Sequence, residues 1–511
     1  MNDNTPILIG VGEASERLGA SDYAALSPVE LAARAARAAI EDAGAATAIA
    51  PRIELIAAIR QFEVSGPRAV PPFGASKNFP RSVAARIGAD PARAILEPVG
   101  GQGPQHLVNE FAQAIGRGEL DLVLLCGSEA ISTVRDLTRL EERRDWAEDP
   151  GGTLEDRGYG EIRFSRDLIQ HGARTPIHHY ALFENARRSR LGLDRRSYAL
   201  EMGRLFAPFT QVAAGNPHAM SREVATAEDL VTASPRNRIV SDPFTRKVIA
   251  RDQANQGAAV LMSSVRRARE LGVPEDRWIF LHGGTDAIER APLDRQDLGT
   301  YPAAGLALRE ALKRAGLGAS DISVLDLYSC FPIAVFSTRE DLGIEAGDPR
   351  RLTVTGGLPF FGGAGNNYSM HAIASMVRAL RGSPDAVGVV GANGGYLSKY
   401  SVGVYSARST DWRPFDSANL QAEIDAWPAV AQADPDALSL EGTIETYTLD
   451  EDRTPPAAIV VARTPDARRF TAMTDAPELV DSLRAAEPLG GHIRTEAGGD
   501  ETRRITSFTP A

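Results

Sequence analysis

Cysteine is scarce, with Cys126 and Cys330 the two in 511 residues. That excludes a disulfide-built scaffold and a cysteine-rich zinc site, and it suits a reducing compartment. Basic charge is short as well: 56 lysines and arginines stand against 67 acidic residues, for a net charge of −11. With no long basic stretch to offset that balance, no nucleic acid partner is expected, and an anionic ligand needs a local basic pocket. No apolar run approaches the roughly 18 residues of a membrane span. The opening MNDNTPILIGVGEASE also lacks the basic start and long apolar stretch of a secretory signal. The expectation is a cytoplasmic chain with no membrane span. Aromatic residues make up only 6% of the chain, so Ala, Val, Leu and Ile must supply the core, as in α/β folds. No glycine-rich segment fits a Walker or dinucleotide fingerprint. No carboxylate cluster accompanies His178-His179, which read as adjacent strand residues facing opposite ways, so no metal is expected.

At about 100–200 residues per domain the length predicts two or three domains, and an internal repeat divides the first two. Ser27-Pro28-Val29-Glu30 has the pattern of a capping box and opens an Ala-rich helix that stops at Ala43-Gly44, before the apolar run Ile53 to Ile59. Tyr301-Pro302 opens a second such helix, Ala303 to Ala315, which stops at Gly316 and leads into Ile322 to Leu327. Leu107, Val108, Phe111, Ala112 and Ile115 line one helical face before the strand Leu122 to Cys126. Met370, Ile373, Val377 and Leu380 do the same before Ala386 to Val390. Two α/β halves of like order predict a duplicated fold, spanning 1–270 and 271–412, with helices on both sheet faces.

Within the first half, an Arg-rich stretch over about 139–237 reads as an insertion of lid or binding-loop type. Its Arg187, Arg188, Arg195 and Arg196 read as a solvated surface. Over 413–511 the composition shifts to Ala, Asp and Pro. The short β-like runs Gly442 to Leu449, Ala457 to Arg463, Arg468 to Met473 and Thr502 to Phe508 follow, predicting a small antiparallel β domain, barrel-like in form.

Several segments together resemble the thiolase superfamily: AQAIGRGELDLVLLCGSEAIS (112–132), NQGAAVLMSS (255–264), DLYSCFP (326–332), GGLPFFGGAGNNYSMHAIA (356–374) and GANGGYLSKYSVGVYS (391–406). The likeness covers about the first 410 residues and is greatest to the lipid-transfer-protein-related branch often labelled acetyl-CoA acetyltransferase. It implies a five-layer αβαβα fold, acyl-CoA or coenzyme A as substrate with no tightly bound cofactor, and an acyltransferase or carbon–carbon lyase. A homodimer is implied too. Four positions depart from the family pattern: Gly101 stands at the nucleophilic cysteine, Tyr328 at the oxyanion-site Asn or His, Gly363 at the Gly-His-Pro histidine and Asn393 at the proton-shuttling cysteine. Some branches that lack the cysteine are retro-aldolases with tyrosines near the centre and an oligonucleotide-barrel-like (OB-like) partner. Tyr328 and the C-terminal β domain resemble that arrangement in one chain.

The polar groups of such a pocket are the candidates. Tyr328 reads as a proton donor or acceptor, or as a core tyrosine. Cys330 reads as a surrogate nucleophile for acyl transfer or as packing. His371 reads as a base or as a histidine bonded to a loop. Asn393 precedes Gly394 and Gly395, whose backbone NH groups can hold a thioester oxyanion. Gly101, Gly363, Asn366, Asn367, Tyr368 and His282 complete the substrate-binding set, with Asn366 and Asn367 also reading as cap or turn residues. Three functions remain open: bond making or breaking at Cα–Cβ, acyl transfer through Cys330, and an acyl-CoA or lipid carrier without catalysis.

Overall fold

The computed structural model describes residues 2–161, 163–499 and 501–511. Ten strands form one twisted array. From one edge to the other they are Val324–Leu327, Val387–Gly394, Lys399–Ser406, Ile279–Ile288, Pro6–Ser15, Asn255–Ser264, Leu122–Ala130, Leu55–Ile59, Arg93–Glu97 and Glu155–Asp156. It is two half-sheets joined at a narrow seam, since Pro6–Ser15 meets Ile279–Ile288 only at Ile7↔Phe280 and Leu8↔Ile279. Helices Gly103–Gly116 and Tyr368–Arg381 pack on each other and on both half-sheets, forming the middle layer around Leu107, Phe111, Met370 and Val377. Pro28–Asp42 covers the outer face of one half and Pro302–Arg314 that of the other. This is the duplicated fold that the repeat predicts, in the αβαβα layering that the family likeness implies.

Local chemistry fixes the layers. Ser27 Oγ accepts from Glu30 N at 3.2 Å and Pro28 occupies the first helical turn, so the first outer helix starts where the capping pattern places it. Its alanines let it settle on Gly12, where any Cβ would overlap the Ala35 carbonyl oxygen.

The insertion is largely helical, with Pro176–Leu191 and Arg195–Gly215 as its main elements. His178 and His179 lie on the first of these helices, not on a strand. Arg196 is exposed as expected and Arg195 is half-buried, but Arg187 and Arg188 are not a solvated surface. Arg187 and Arg188 are 2% and 1% exposed. Arg187 pairs with Glu340 of the second half, while Arg188 Nη1 donates to Glu487 Oε2 at 2.6 Å and Arg188 Nη2 to the Tyr447 hydroxyl at 3.2 Å. Arg195 Nε reaches the same hydroxyl at 2.9 Å. Planar, permanently charged guanidinium groups can satisfy several acceptors at once, so they serve here as internal bolts.

The C-terminal strands Glu441–Asp450, Ala457–Arg463, Arg469–Thr474, Arg503–Thr509 and His492–Ala497 pair in that order and close on the first, making a five-stranded barrel. Helix Pro477–Ala485 lies between the third and fourth strands in sequence. The strand Glu441–Asp450 packs along the insertion helix, with Thr446 Oγ1 donating to Leu182 O at 2.5 Å and Asn185 Nδ2 to Tyr447 O at 3.0 Å. Tyr447 is the shared partner, and its hydroxyl also donates to Asp242 Oδ2 at 2.9 Å. Tyr447→Phe strips a buried cluster of one donor and its acceptor. It should therefore cost about 2 kcal/mol, read as a lower urea midpoint at unchanged m-value.

Candidate functional site

The ends of strands Val324–Leu327 and Val387–Gly394, which run parallel, meet the start of helix Gly103–Gly116. Tyr328 leaves its strand with its N–H bonded to Gly391 O at 3.0 Å, which sends the ring toward Gly101. A Cβ on Gly101 would stand 2.6 Å from both Tyr328 Cζ and Asn393 O, and nearer still to the phenol oxygen. The tyrosine therefore fills the space a side chain at 101 would need. The Gly101 carbonyl accepts from Ser369 Oγ at 2.6 Å, and its N–H has no hydrogen-bond partner among the described residues. Gly101 N also lies 3.2 Å from where a Cβ on Gly394 would stand.

On the other side of Tyr328, Cys330 and Asn393 form a second cluster. Asn393 Nδ2 donates to the Tyr180 hydroxyl at 2.8 Å and lies 3.7 Å from Cys330 Sγ. Tyr180 in turn donates to Gly395 O at 3.3 Å and stacks on Phe331, with centroids 4.1 Å apart. Burial pushes the Cys330 thiol up to about 12, so it is a neutral thiol at ordinary pH. Burial, with Cys330 and Asp252 nearby, likewise holds the Tyr328 phenol well above its usual value. Asp252 lies on the loop beside Gly363, where a Cβ would approach its Oδ1 to 2.8 Å, and burial raises its carboxyl.

Asn366 is a clasp: its Oδ1 accepts from Gly100 N at 3.1 Å and its Nδ2 donates to Arg60 O at 2.8 Å. Tyr368 packs edge-on against Tyr328 at 5.5 Å and shares a 2.5 Å hydrogen bond with Thr355 Oγ1. Asn367 is 1% exposed, and neither polar atom of its amide has a partner among the described residues. His371 is fully buried, with its Nδ1 2.6 Å from Glu13 Oε1. Burial alone would raise the Glu13 carboxyl, but His371 and Arg378 outweigh it and hold it at about 2. His282 lies apart, near the start of strand Ile279–Ile288, bonded to Ser406 Oγ at 2.7 Å and to Arg408 O at 3.1 Å.

A crystal structure of a monomeric SCP2-thiolase like protein type 1 from Mycobacterium smegmatis superposes with a TM-score of 0.85 at 43% identity, covering 100% of both chains. The chain belongs to the SCP2-thiolase-like proteins of type 1. The family of the thiolase-like protein type 1 additional C-terminal domain matches residues 419–500 of this type 1 protein, over the barrel. Two more distant structures share the fold. An Ltp2-ChsH2(DUF35) aldolase has a TM-score of 0.58 at 20% identity over 79% of this chain and 98% of its own. The dimeric peroxisomal thiolase of Saccharomyces cerevisiae has 0.56 at 14% identity, over 80% of this chain and 98% of its own. A 3-ketoacyl-CoA thiolase of Escherichia coli is 32% identical over 139 residues, which are 26% of this chain and 34% of the relative. The chain thus spans about a third of the length of the curated relatives it matches.

For this SCP2-thiolase-like protein the structure brings Gly101, Tyr328, Cys330, Asn393, Gly394 and Gly395 together, with Tyr368 and Asn366 behind them. It puts His371 in a buried hydrogen bond to Glu13 and His282 elsewhere. Sequence reasoning missed Tyr180, which reaches the site from the insertion 213 residues from Asn393. A tyrosine within a polar helix carries no local sign of that contact.

Three outcomes test the geometry. Gly101→Cys should destabilise the fold, and adding Tyr328→Ala should restore most of the loss, as read by urea unfolding. In the unmodified protein, Cys330 should alkylate with iodoacetamide at pH 8 on the order of a thousandfold slower than a free thiol. As to pH, Glu13 ionises more readily folded than unfolded. Its contribution is therefore present above about pH 4.5 and lost as pH falls toward 2. The stability gap between the protein and Glu13→Gln should shrink over that window.

Proposed function

We infer that the chain binds an acyl-CoA thioester and breaks or makes its Cα–Cβ bond in the retro-aldol manner, without an acyl-cysteine intermediate. The observation that carries this reading is the Tyr328 hydroxyl in the space beside Gly101. A nucleophile has no room there, while a neutral phenol and the free Gly101 N–H stand together. In the cleavage direction, Asp252 takes the proton of a 3-hydroxyl group and the Cα–Cβ bond breaks, giving a carbonyl product and a thioester enolate. The Gly101 N–H, with the turn at Gly394-Gly395, stabilises the enolate oxygen. Tyr328 then returns a proton to Cα, and the proton on Asp252 restores the phenol. Because burial raises the phenol, it stays protonated through neutral pH and acts as an acid.

His371 is left a structural part in this scheme, since Glu13 occupies its Nδ1. Acyl transfer through Cys330 is the weaker reading, because its thiol is held neutral at about 12. The barrel strand order, first-second-third-fifth-fourth and back to the first, supports an OB-like domain fused to the thiolase-shaped body. An aldolase whose name pairs a thiolase-like chain with a DUF35 protein is among the structural neighbours, which suits such a fusion. A monomer fits better than the homodimer the resemblance implies, since Glu155–Asp156 pairs with the edge strand Arg93–Glu97 and covers it.

The test is product analysis by mass spectrometry with 3-hydroxyacyl- and 3-ketoacyl-CoA thioesters, each with and without free CoA. Cleavage of the hydroxyacyl thioester without free CoA is the expected result. Tyr328→Phe and Asp252→Asn should each lower its kcat at least a hundredfold while leaving KM within about threefold. Cleavage of the ketoacyl thioester only with free CoA would favour acyl transfer and overturn the scheme.

A further inference from the structure

Buried polar atoms without partners gather on one side of the site. Arg295 is 3% exposed; its Nε donates to Arg290 O at 2.9 Å and its Nη2 to Tyr396 O at 2.8 Å, but Nη1 has no partner among the described residues. The hydroxyls of Tyr301, Tyr400 and Ser398 are also buried and unpaired among the described residues, as are Asn393 Oδ1 and His179 Nε2. These residues come from distant segments but meet around the turn that follows strand Val387–Gly394. Tyr400 is the cross-strand partner of Asn393. Its hydroxyl lies against Gly391, on the spot a Cβ there would take. Tyr301 packs edge-on to Tyr400 at 5.8 Å. His179 stacks on Tyr396, whose carbonyl holds Arg295.

The acidic neighbour does not satisfy this group. Glu289 Oε1 accepts from Arg290 N at 2.9 Å and Oε2 from Ala303 N at 3.0 Å, so both oxygens are engaged. Burying so many polar groups without partners is costly, on the order of 1–3 kcal/mol for each. Clusters of them mark a place where another molecule supplies the missing bonds. The set is rich in donors: a guanidinium N–H2 and three hydroxyls, against one amide oxygen and one imidazole nitrogen. His179 Nδ1 faces Thr175 O at 3.1 Å and donates to it, so Nε2 is the acceptor. A donor-rich cluster with a guanidinium matches a carboxylate, which accepts only and can take two parallel bonds.

We propose that Arg295, Tyr301 and Tyr400, beside Cys330 and Asn393, recognise a carboxylate at the far end of the acyl group, so that the substrate is a dicarboxylic thioester. This rests on the thioester reading above and names its substrate class. Tyr301 and Tyr400 are the informative positions, because losing an unpartnered hydroxyl leaves the fold intact, whereas Arg295 also braces two backbone carbonyls.

The experiment is calorimetric titration of the full chain with glutaryl-CoA and pentanoyl-CoA, which share a carbon count and differ in the terminal carboxylate. The expected result is about tenfold tighter binding of glutaryl-CoA. That preference should fall severalfold in Tyr301→Phe and Tyr400→Phe, and vanish in Arg295→Met, with pentanoyl-CoA affinity unchanged in the tyrosine variants. Equal or weaker binding of glutaryl-CoA would overturn the proposal and leave the thioester reading standing. So would a preference unmoved by both tyrosine variants, since ordered water would then be filling the cluster. Binding of neither thioester would overturn both.

Discussion

The close approach of Tyr328 to Gly101 is the constraint on which the rest of the site depends. A helix start normally offers its N–H groups to an anion or a side chain. Here the ring of Tyr328 stands in front of it, fixed by the Tyr328 N–H to Gly391 bond behind and by Tyr368 at its edge. Tyr368 is in turn tied through Thr355 to Asp326, whose Oδ2 also accepts from Thr353 Oγ1 at 2.9 Å and Val354 N at 2.9 Å. A buried carboxylate with that many donors fixes the loop that closes over the tyrosines. The phenol is thus positioned by a chain of satisfied bonds reaching back into the sheet, while its own hydroxyl has no hydrogen-bond partner among the described residues.

The contrast between satisfied and unsatisfied groups runs through the whole site. Asn366, Asp326 and Ser369 have their hydrogen bonds filled and act as scaffolding. Among the described residues, the Gly101 N–H, Asn393 Oδ1, Arg295 Nη1 and the Tyr301 and Tyr400 hydroxyls do not. Unpaired buried groups are expensive, and those around the turn after Asn393 mark what the pocket offers a ligand, as distinct from what holds the pocket in place.

Much of the fold was legible because local chemistry and burial agree. The Ser27-Pro28 start, the Gly stops and the apolar faces of the two middle helices lie where spacing predicts them, since each element buries one defined stripe. The barrel strand His492–Ala497 escaped notice because only Ile493 and Thr495 of its residues are buried, too little apolar content to stand out beside Gly-rich turns. Arg187 and Arg188 misled for the opposite reason. Charged residues in a polar stretch read as surface, and the distant Glu340, Glu487 and Tyr447, together with the nearby Glu201 and Asn185, make their burial tolerable. Of the site, the positions on strand ends were visible through the family likeness. Tyr180, Arg295 and Tyr301 were not, because nothing in their own segments distinguishes a residue that turns inward to meet a strand far away in sequence.

The insertion and the barrel follow from the same logic. Tyr180 can hold Asn393 only if its helix is rigid relative to the strand ends. That helix has few apolar contacts with the first half, from which it emerges. Instead, Arg187 ties it to the second half, Arg188 ties it to the barrel, and the barrel strand Glu441–Asp450 runs along it. Glu184 adds a third anchor, accepting from Ile333 N at 3.0 Å at the start of the helix that follows Cys330. The side chain that reaches the site and those that bolt its helix down lie within three turns of one another. A barrel far from the reacting atoms thus helps to set the position of Tyr180, and with it the amide of Asn393.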